Sequence, residues 1–248
     1  MWRLEAILLC LSAFVPAFSA PAAQRDKAER AARPLAAPAE ARAEMARYSL
    51  KAYENVDEKN PLKAMLFTPK PVGMSALPMV VYIPGNGELG DVERQFRQKA
   101  IFARVTSSAF QEKYPCYLLA LSPPKTATTI LGGMPGHPTA LQKAIREFVL
   151  DVCRLQKRPR VDLSRLYLTG FSYGGIGAYA LGQHFPADFA AVVPIAALPP
   201  LPEYFSKEHP GNWWHFHNEG DYSRHGIASA SYSACMRVPH LAARTLDD

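Results

Sequence analysis

The stretch Leu166-Tyr-Leu-Thr-Gly170-Phe-Ser172-Tyr-Gly174-Gly175 decides the fold. An apolar run ends in Gly-x-Ser-x-Gly, and a small-residue helical pattern follows. This is the strand–turn–helix pattern of a nucleophile elbow. On so tight a turn the serine Oγ is pushed clear of the backbone. Gly170 and Gly174 are expected because a Cβ at either place crowds the turn, while Gly175 and Gly177 keep the next helix slim against the sheet. A competing reading is an ordinary βα turn capped by a serine. The two readings differ in one observable: the Ser172 hydroxyl is either open to solvent or bonded to the first amides of the helix.

Working outward, residues 79–83 (Met-Val-Val-Tyr-Ile) form a continuous apolar run ending in Pro84-Gly85. Such runs belong to strands buried on both faces of a parallel sheet. Residues 116–121 predict another strand, 189–195 a further one, and 213–217 the last. Helical spacing marks residues 91–113, 139–158 and 176–184, the second with Leu141, Ile145, Phe148, Val149 and Val152 on one face. Residues 48–53 and 62–67 alternate around the turn-like 57–61, which predicts an antiparallel hairpin. Strand–helix alternation after such a hairpin gives an α/β fold: a mostly parallel sheet with helices on both faces.

The chain has 248 residues and a formal charge of +6 without any Lys/Arg block, so nucleic acid is not an expected partner. Residues 1–20 combine a basic start, an apolar stretch from Ile7 to Phe18 and small residues after it. That is the pattern of a signal peptide, too short for a membrane span, with cleavage after Ser19 or Ala22 fitting best. The expected location is secreted or periplasmic. Residues 21–46, rich in Ala, Pro, Arg and Glu, lack the large apolar side chains a core needs and read as a tether. Residues 47–248 then form a single domain. Outside the signal segment lie Cys116, Cys153 and Cys235; an exported chain permits a Cys116–Cys153 bridge, but buried, unpaired thiols are the preferred reading.

A serine hydroxyl is a weak nucleophile at neutral pH and needs a base, an acid to orient the base, and donors for an oxyanion. Ser172 supplies the nucleophile. In elbow geometry the N–H of Tyr173 faces the oxyanion, and the second N–H comes from the loop after an earlier strand. Here that loop is residues 84–90, Pro-Gly-Asn-Gly-Glu-Leu-Gly, with Asn86 or Gly87 the candidate donor. The acid belongs in the loop after residues 213–217, where Asp221 is the first candidate and Glu219 the second.

These residues resemble the α/β-hydrolases, and within them the secreted esterases similar to polyhydroxybutyrate depolymerases, feruloyl esterases and prolyl-oligopeptidase-type peptidases. The His-Gly-x-Gly-Glu-x-Gly loop of that group is matched by residues 84–90, with Pro84 in place of the histidine. Its Asp-x-x-Arg-x-Tyr-x-x-Gly-x-Ser-x-Gly-Gly is matched by Asp162, Arg165, Tyr167, Gly170, Ser172, Gly174 and Gly175. Phe189 to Pro194 match its next strand, and Phe216, His217 and Asp221 its acid loop. The resemblance covers residues 62–225. It implies cleavage of carboxylic esters, small or polymeric, through an acyl-serine, with no metal or cofactor; a peptidase or a non-catalytic binding protein of the same fold are the alternatives. Chain order places the base after the acid. His225 and His240 are available there, and His240 is preferred for its position after a helix expected at 227–236. Residues 242–248 do not resemble the family, and a truncated or frame-shifted C-terminus, lacking the final strand and helix, is the expectation.

Overall fold

A computed structural model describes residues 51–55, 59, 61–70, 73, 75–90, 100–124, 137–157, 159–197, 213, 214 and 216. The expected signal segment (1–20), the expected tether (21–46) and the chain beyond 216 lie outside these residues. The hairpin is present as β1 (Lys51–Glu54) and β2 (Lys63–Phe67), paired antiparallel. There follow β3 (Leu77–Ile83), α1 (Ala100–Thr106), α2 (Ser108–Lys113), β4 (Tyr117–Ser122), α3 (Ala140–Leu155), β5 (Val161–Phe171), α4 (Tyr173–His184) and β6 (Ala191–Ile195). The sheet order is β1-β2-β4-β3-β5-β6; β2 meets β4 antiparallel, and the β4-β3-β5-β6 pairings are parallel. Trp213 and Phe216 continue the sheet beyond β6 through parallel bridges to Val192 and Ile195.

The apolar runs form strands because both faces are covered. Met79, Val81 and Ile83 of β3 point into one core with Leu119 and Leu121 of β4, Leu166 and Leu168 of β5, and the apolar faces of α3 and α4. Val80 and Tyr82, Leu118 and Ala120, and Tyr167 point into the other, against Ile101, Phe102 and Val105 of α1. Alternation between the faces is the period of two that a pleated strand imposes. Helix α3 begins where Thr139 accepts from the Gln142 N–H (3.2 Å) while Gln142 Oε1 accepts from the Thr139 N–H (2.7 Å), a reciprocal cap. Its Arg146 pairs with Asp188 and lies 5.2 Å from the Phe185 ring centroid, tying α3 to the turn between α4 and β6.

The helix expected over 91–113 differs within its described part. It is two helices, broken at Ser107, whose Oγ donates to Arg104 O (2.8 Å) and accepts from the Phe110 N–H (3.3 Å), so it ends one helix and caps the next. Cys116 and Cys153 are both buried, in opposite cores, and no disulfide joins them.

The connections set the position of the site. From β3 the chain moves one way, to β4; from β4 it crosses back over β3 to β5 and continues to β6. The winding therefore reverses between β3 and β5. Open sheets of this kind leave a crevice there, beyond the C-terminal ends of the strands.

Candidate active site

Beyond that reversal lie two segments: the elbow after β5, and the 84–90 loop after β3. Ile83 and Gly170 are register partners, so both segments leave the sheet at the same level. Ser172 has φ 54° and ψ −119°, in the positive-φ region that an L-residue rarely adopts. Its N–H donates to Ile195 O (2.9 Å), extending the β5–β6 ladder by one residue, and its carbonyl accepts from the Ile176 N–H (3.1 Å), opening α4. One residue thus ends the strand and starts the helix. The side chain is exposed and makes no capping hydrogen bond. Of the two readings of this serine, the helix cap is excluded and the open hydroxyl is observed.

The glycines explain how the strain is tolerated. A Cβ on Gly170 would stand 2.3 Å from Gly174 O, and one on Gly174 would stand 2.1 Å from Ile83 O and 2.6 Å from Pro84 O. Those obstacles are backbone, which side-chain rotation cannot move. Gly175 has the same role toward β6, where a Cβ would meet Ala197 Cβ at 2.5 Å and Ile195 O at 2.9 Å. Elbow, β3 exit and β6 exit therefore pack backbone to backbone. Ala196 carries the chain out of β6 at φ 47°, held by its N–H to Phe216 O (2.7 Å).

The 84–90 loop abuts the elbow through Pro84 and Gly85; a Cβ on Gly85 would lie 3.3 Å from Phe171 O. Pro84 is buried where the resembling loops carry histidine, while Asn86 and Gly87 are exposed in the 3-10 turn Asn86–Glu88. Gly87 has open space around its Cα and no positive φ, so its amide direction does not require glycine. Sequence reasoning missed Glu88. Its Oε2 accepts from the Gly85 N–H (3.1 Å) and lies 3.5 Å from the Tyr82 hydroxyl, while its own N–H donates to Gly85 O (2.9 Å). A Gly-x-x-Glu spacing at a turn was the available signal, since an acidic side chain three residues on can reach back to an amide.

Tyr173 is the first residue of α4, where helix amides point out of the helix end. Its side chain is half-buried, and burial pushes its phenol above the ordinary value. Trp213 is buried and stacked on Tyr179, with centroids 5.6 Å apart, so it is core. Trp214 is half-buried against the core on the α1 side of the sheet. Asp162 and Arg165, part of the motif, sit at the opposite end of β5. Asp162 accepts from the Ser164 Oγ (2.6 Å) and Arg165 Nε (2.7 Å), and Arg165 donates to Ala76 O (2.7 Å). They clamp β5 to the segment leading into β3. Asp221, Glu219, His225 and His240 lie outside the described residues. Among the described residues no group of His, Cys, Asp and Glu forms a metal-binding cluster, and no helix is long and apolar enough to cross a membrane.

No protein-family model matches the chain, and no curated protein matches it in sequence. Solved structures do. A thermostable esterase superposes with a TM-score of 0.63 at 22% identity, over 80% of this chain and 53% of that one. The chain thus spans about half the length of that esterase. An enterobactin esterase from Shigella flexneri gives 0.45 at 19% identity over 61% and 37% of the two chains. An S-formylglutathione hydrolase from Staphylococcus aureus gives 0.45 at 13% identity over 78% and 70%. At those scores the last two add nothing to the assignment. The first superposes over most of this chain and, with the strand order and elbow described above, shows that the chain has the α/β-hydrolase fold.

Proposed function

We propose that this chain is a serine hydrolase that cleaves carboxylic esters through an acyl-serine. One observation carries the reading: Ser172 is held at φ 54°, exposed and uncapped, by glycines that backbone contacts enforce. Strain of this kind costs on the order of 1–3 kcal/mol and persists where the surroundings over-determine it. An elbow whose only task is to turn the chain gains nothing from an exposed hydroxyl in that conformation.

In this reading Ser172 Oγ attacks the acyl carbon, and its proton passes to a histidine, His240 in the assignment by chain order. Asp221 orients that imidazole. The carbonyl oxygen becomes an oxyanion facing the Tyr173 N–H and the N–H of Asn86 or Gly87. The imidazolium returns its proton to the leaving alkoxide, so an alcohol departs and the acyl-serine remains. Water, deprotonated by the same base, then releases the acid. The substrate is a small-molecule or polymeric ester. The pattern of residues 1–20 supports placing the enzyme outside the cytoplasm, secreted or periplasmic, and cell fractionation with mass spectrometry of the mature N-terminus tests it.

The decisive experiment is labelling with a fluorophosphonate probe, alongside turnover of a small activated ester. The native chain is expected to be labelled, Ser172→Ala to lose labelling completely, and turnover to fall by about 10³-fold or more. Wild-type turnover no higher than that of Ser172→Ala would leave a binding protein with a broken triad. Parallel assays on tributyrin, a peptide and a feruloyl ester separate esterase from peptidase.

A further inference from the structure

Glu88 is the one acidic side chain in the 84–90 loop, and its carboxylate caps the turn while reaching β3. A single carboxylate oxygen accepts from the Gly85 N–H at 3.1 Å and lies 3.5 Å from the hydroxyl of the fully buried Tyr82. Tyr82 is fixed in β3 by its ladder and by an edge-to-face contact with Phe102, at 5.0 Å between centroids. Gly85 in turn lies against Phe171, the residue before Ser172. The Glu88 N–H closes the turn in the other direction, onto Gly85 O at 2.9 Å. The side chain thus joins a rigid strand, the first turn of the donor loop and, through Gly85, the elbow.

From this clasp the geometry points to Glu88 as a positioning residue that holds the amides of residues 86–87 in register with Ser172. The inference rests on the esterase reading above. Glu88 does not touch the reacting atoms. It fixes the turn that carries them, so that the loop amide meets the oxyanion without reorganisation during the reaction. Acceptance, rather than charge, is what the Gly85 N–H requires. A glutamine at 88 offers the same oxygen, whereas alanine or methionine offers none.

The test compares Glu88→Gln, Glu88→Ala and Glu88→Met with wild type and Ser172→Ala, measuring kcat and KM on an activated ester, inhibition by a trifluoromethyl ketone, and thermal midpoint. Glu88→Gln is expected within about threefold of wild type in kcat. Glu88→Ala and Glu88→Met are expected to lose about 10–100-fold in kcat with KM little changed, because loss of oxyanion alignment acts on the transition state. Ketone affinity should fall in parallel, since its hemiketal oxygen occupies the oxyanion position. Ser172-dependent turnover that Glu88→Ala and Glu88→Met leave unchanged would overturn this inference alone. So would an equal loss in Glu88→Gln, or failure of both acceptor-less variants to fold, which assigns Glu88 to stability. Should one of those two fold, it decides. Absence of Ser172-dependent labelling in wild type removes the esterase reading and this inference with it.

Discussion

At the scale of single residues, the turn around Ser172 separates glycines that are required from those that are not. Gly174 and Gly87 both lie in the motifs that point to the site, yet their surroundings differ. A methyl on Gly174 would overlap the Ile83 and Pro84 carbonyls, while one on Gly87 meets nothing within 4 Å. Gly174→Ala is therefore expected to destabilise the fold by about 3 kcal/mol or more, because relief needs a backbone shift of β3 or α4. Gly87→Ala is expected to be neutral or to stabilise by up to about 1 kcal/mol, since it restricts only the unfolded chain. Urea denaturation midpoints of the two variants check the pair. Equal midpoints would mean that the β3 exit does not press on the elbow. The pattern Gly-x-Ser-x-Gly made the required glycines legible, because their need follows from local chain geometry. Ala196 was not legible: its positive φ accompanies a hydrogen bond to the Phe216 carbonyl, a partner twenty residues on that no local pattern names.

Elements were read well where burial writes a pattern. The runs at 79–83 and 116–121 announced themselves because both faces of β3 and β4 are covered. β5 was read short, starting at 166 rather than Val161, because its first half is polar and partly exposed. That half is held by a side-chain clamp instead of a core. Asp162 collects the Ser164 hydroxyl and Arg165, and Arg165 reaches Ala76 O. The break at Ser107 was hidden for a related reason: the helical spacing continues through it, and only the capping bonds reveal two helices. The clamp carries a pH signature. The Ser164 hydroxyl, with Arg165 beside it, holds the Asp162 carboxyl below the usual value against a smaller opposing effect of burial. A depressed pKa in the folded state gives stability that is complete above the unfolded carboxylate pKa, about 4, and that fades as pH falls through the folded value. Asp162→Asn keeps an acceptor but cannot titrate. Its thermal midpoint should therefore decline less steeply than that of wild type below about pH 4, and parallel declines would show that the clamp's charge does not contribute.

Across the whole molecule the sheet acts as a partition. One core lies under α3 and α4 and the other under α1, and the site sits at the edge where the winding between them reverses. This much of the candidate site was legible in the sequence, since the elbow and the 84–90 loop each follow a buried strand. Asp221 rests on chain order and the match to the acid loop, His240 on chain order alone, and no packing among the described residues bears on either. The partition itself is testable through the thiols. Cys153 packs against Met79 (Sγ to Sδ 3.6 Å) in one core, and burial pushes its pKa up to about 12. Cys116 lies in the other core, where Gln111 donates to its carbonyl at 3.2 Å and accepts from its N–H at 3.1 Å. A thiol reacts as thiolate and only when reached by the reagent, so neither is expected to react in the native state at neutral pH. β3 and β4 contribute alternate side chains to both cores, so loss of either core weakens the strands on which the other rests. Labelling of Cys116 and Cys153 with iodoacetamide across a urea series, read by peptide mass spectrometry, should therefore rise in one shared transition that coincides with loss of far-ultraviolet circular dichroism. Reaction of Cys116 at lower urea than Cys153 would show that α1 and α2 detach first, and that the two faces do not fold as one unit.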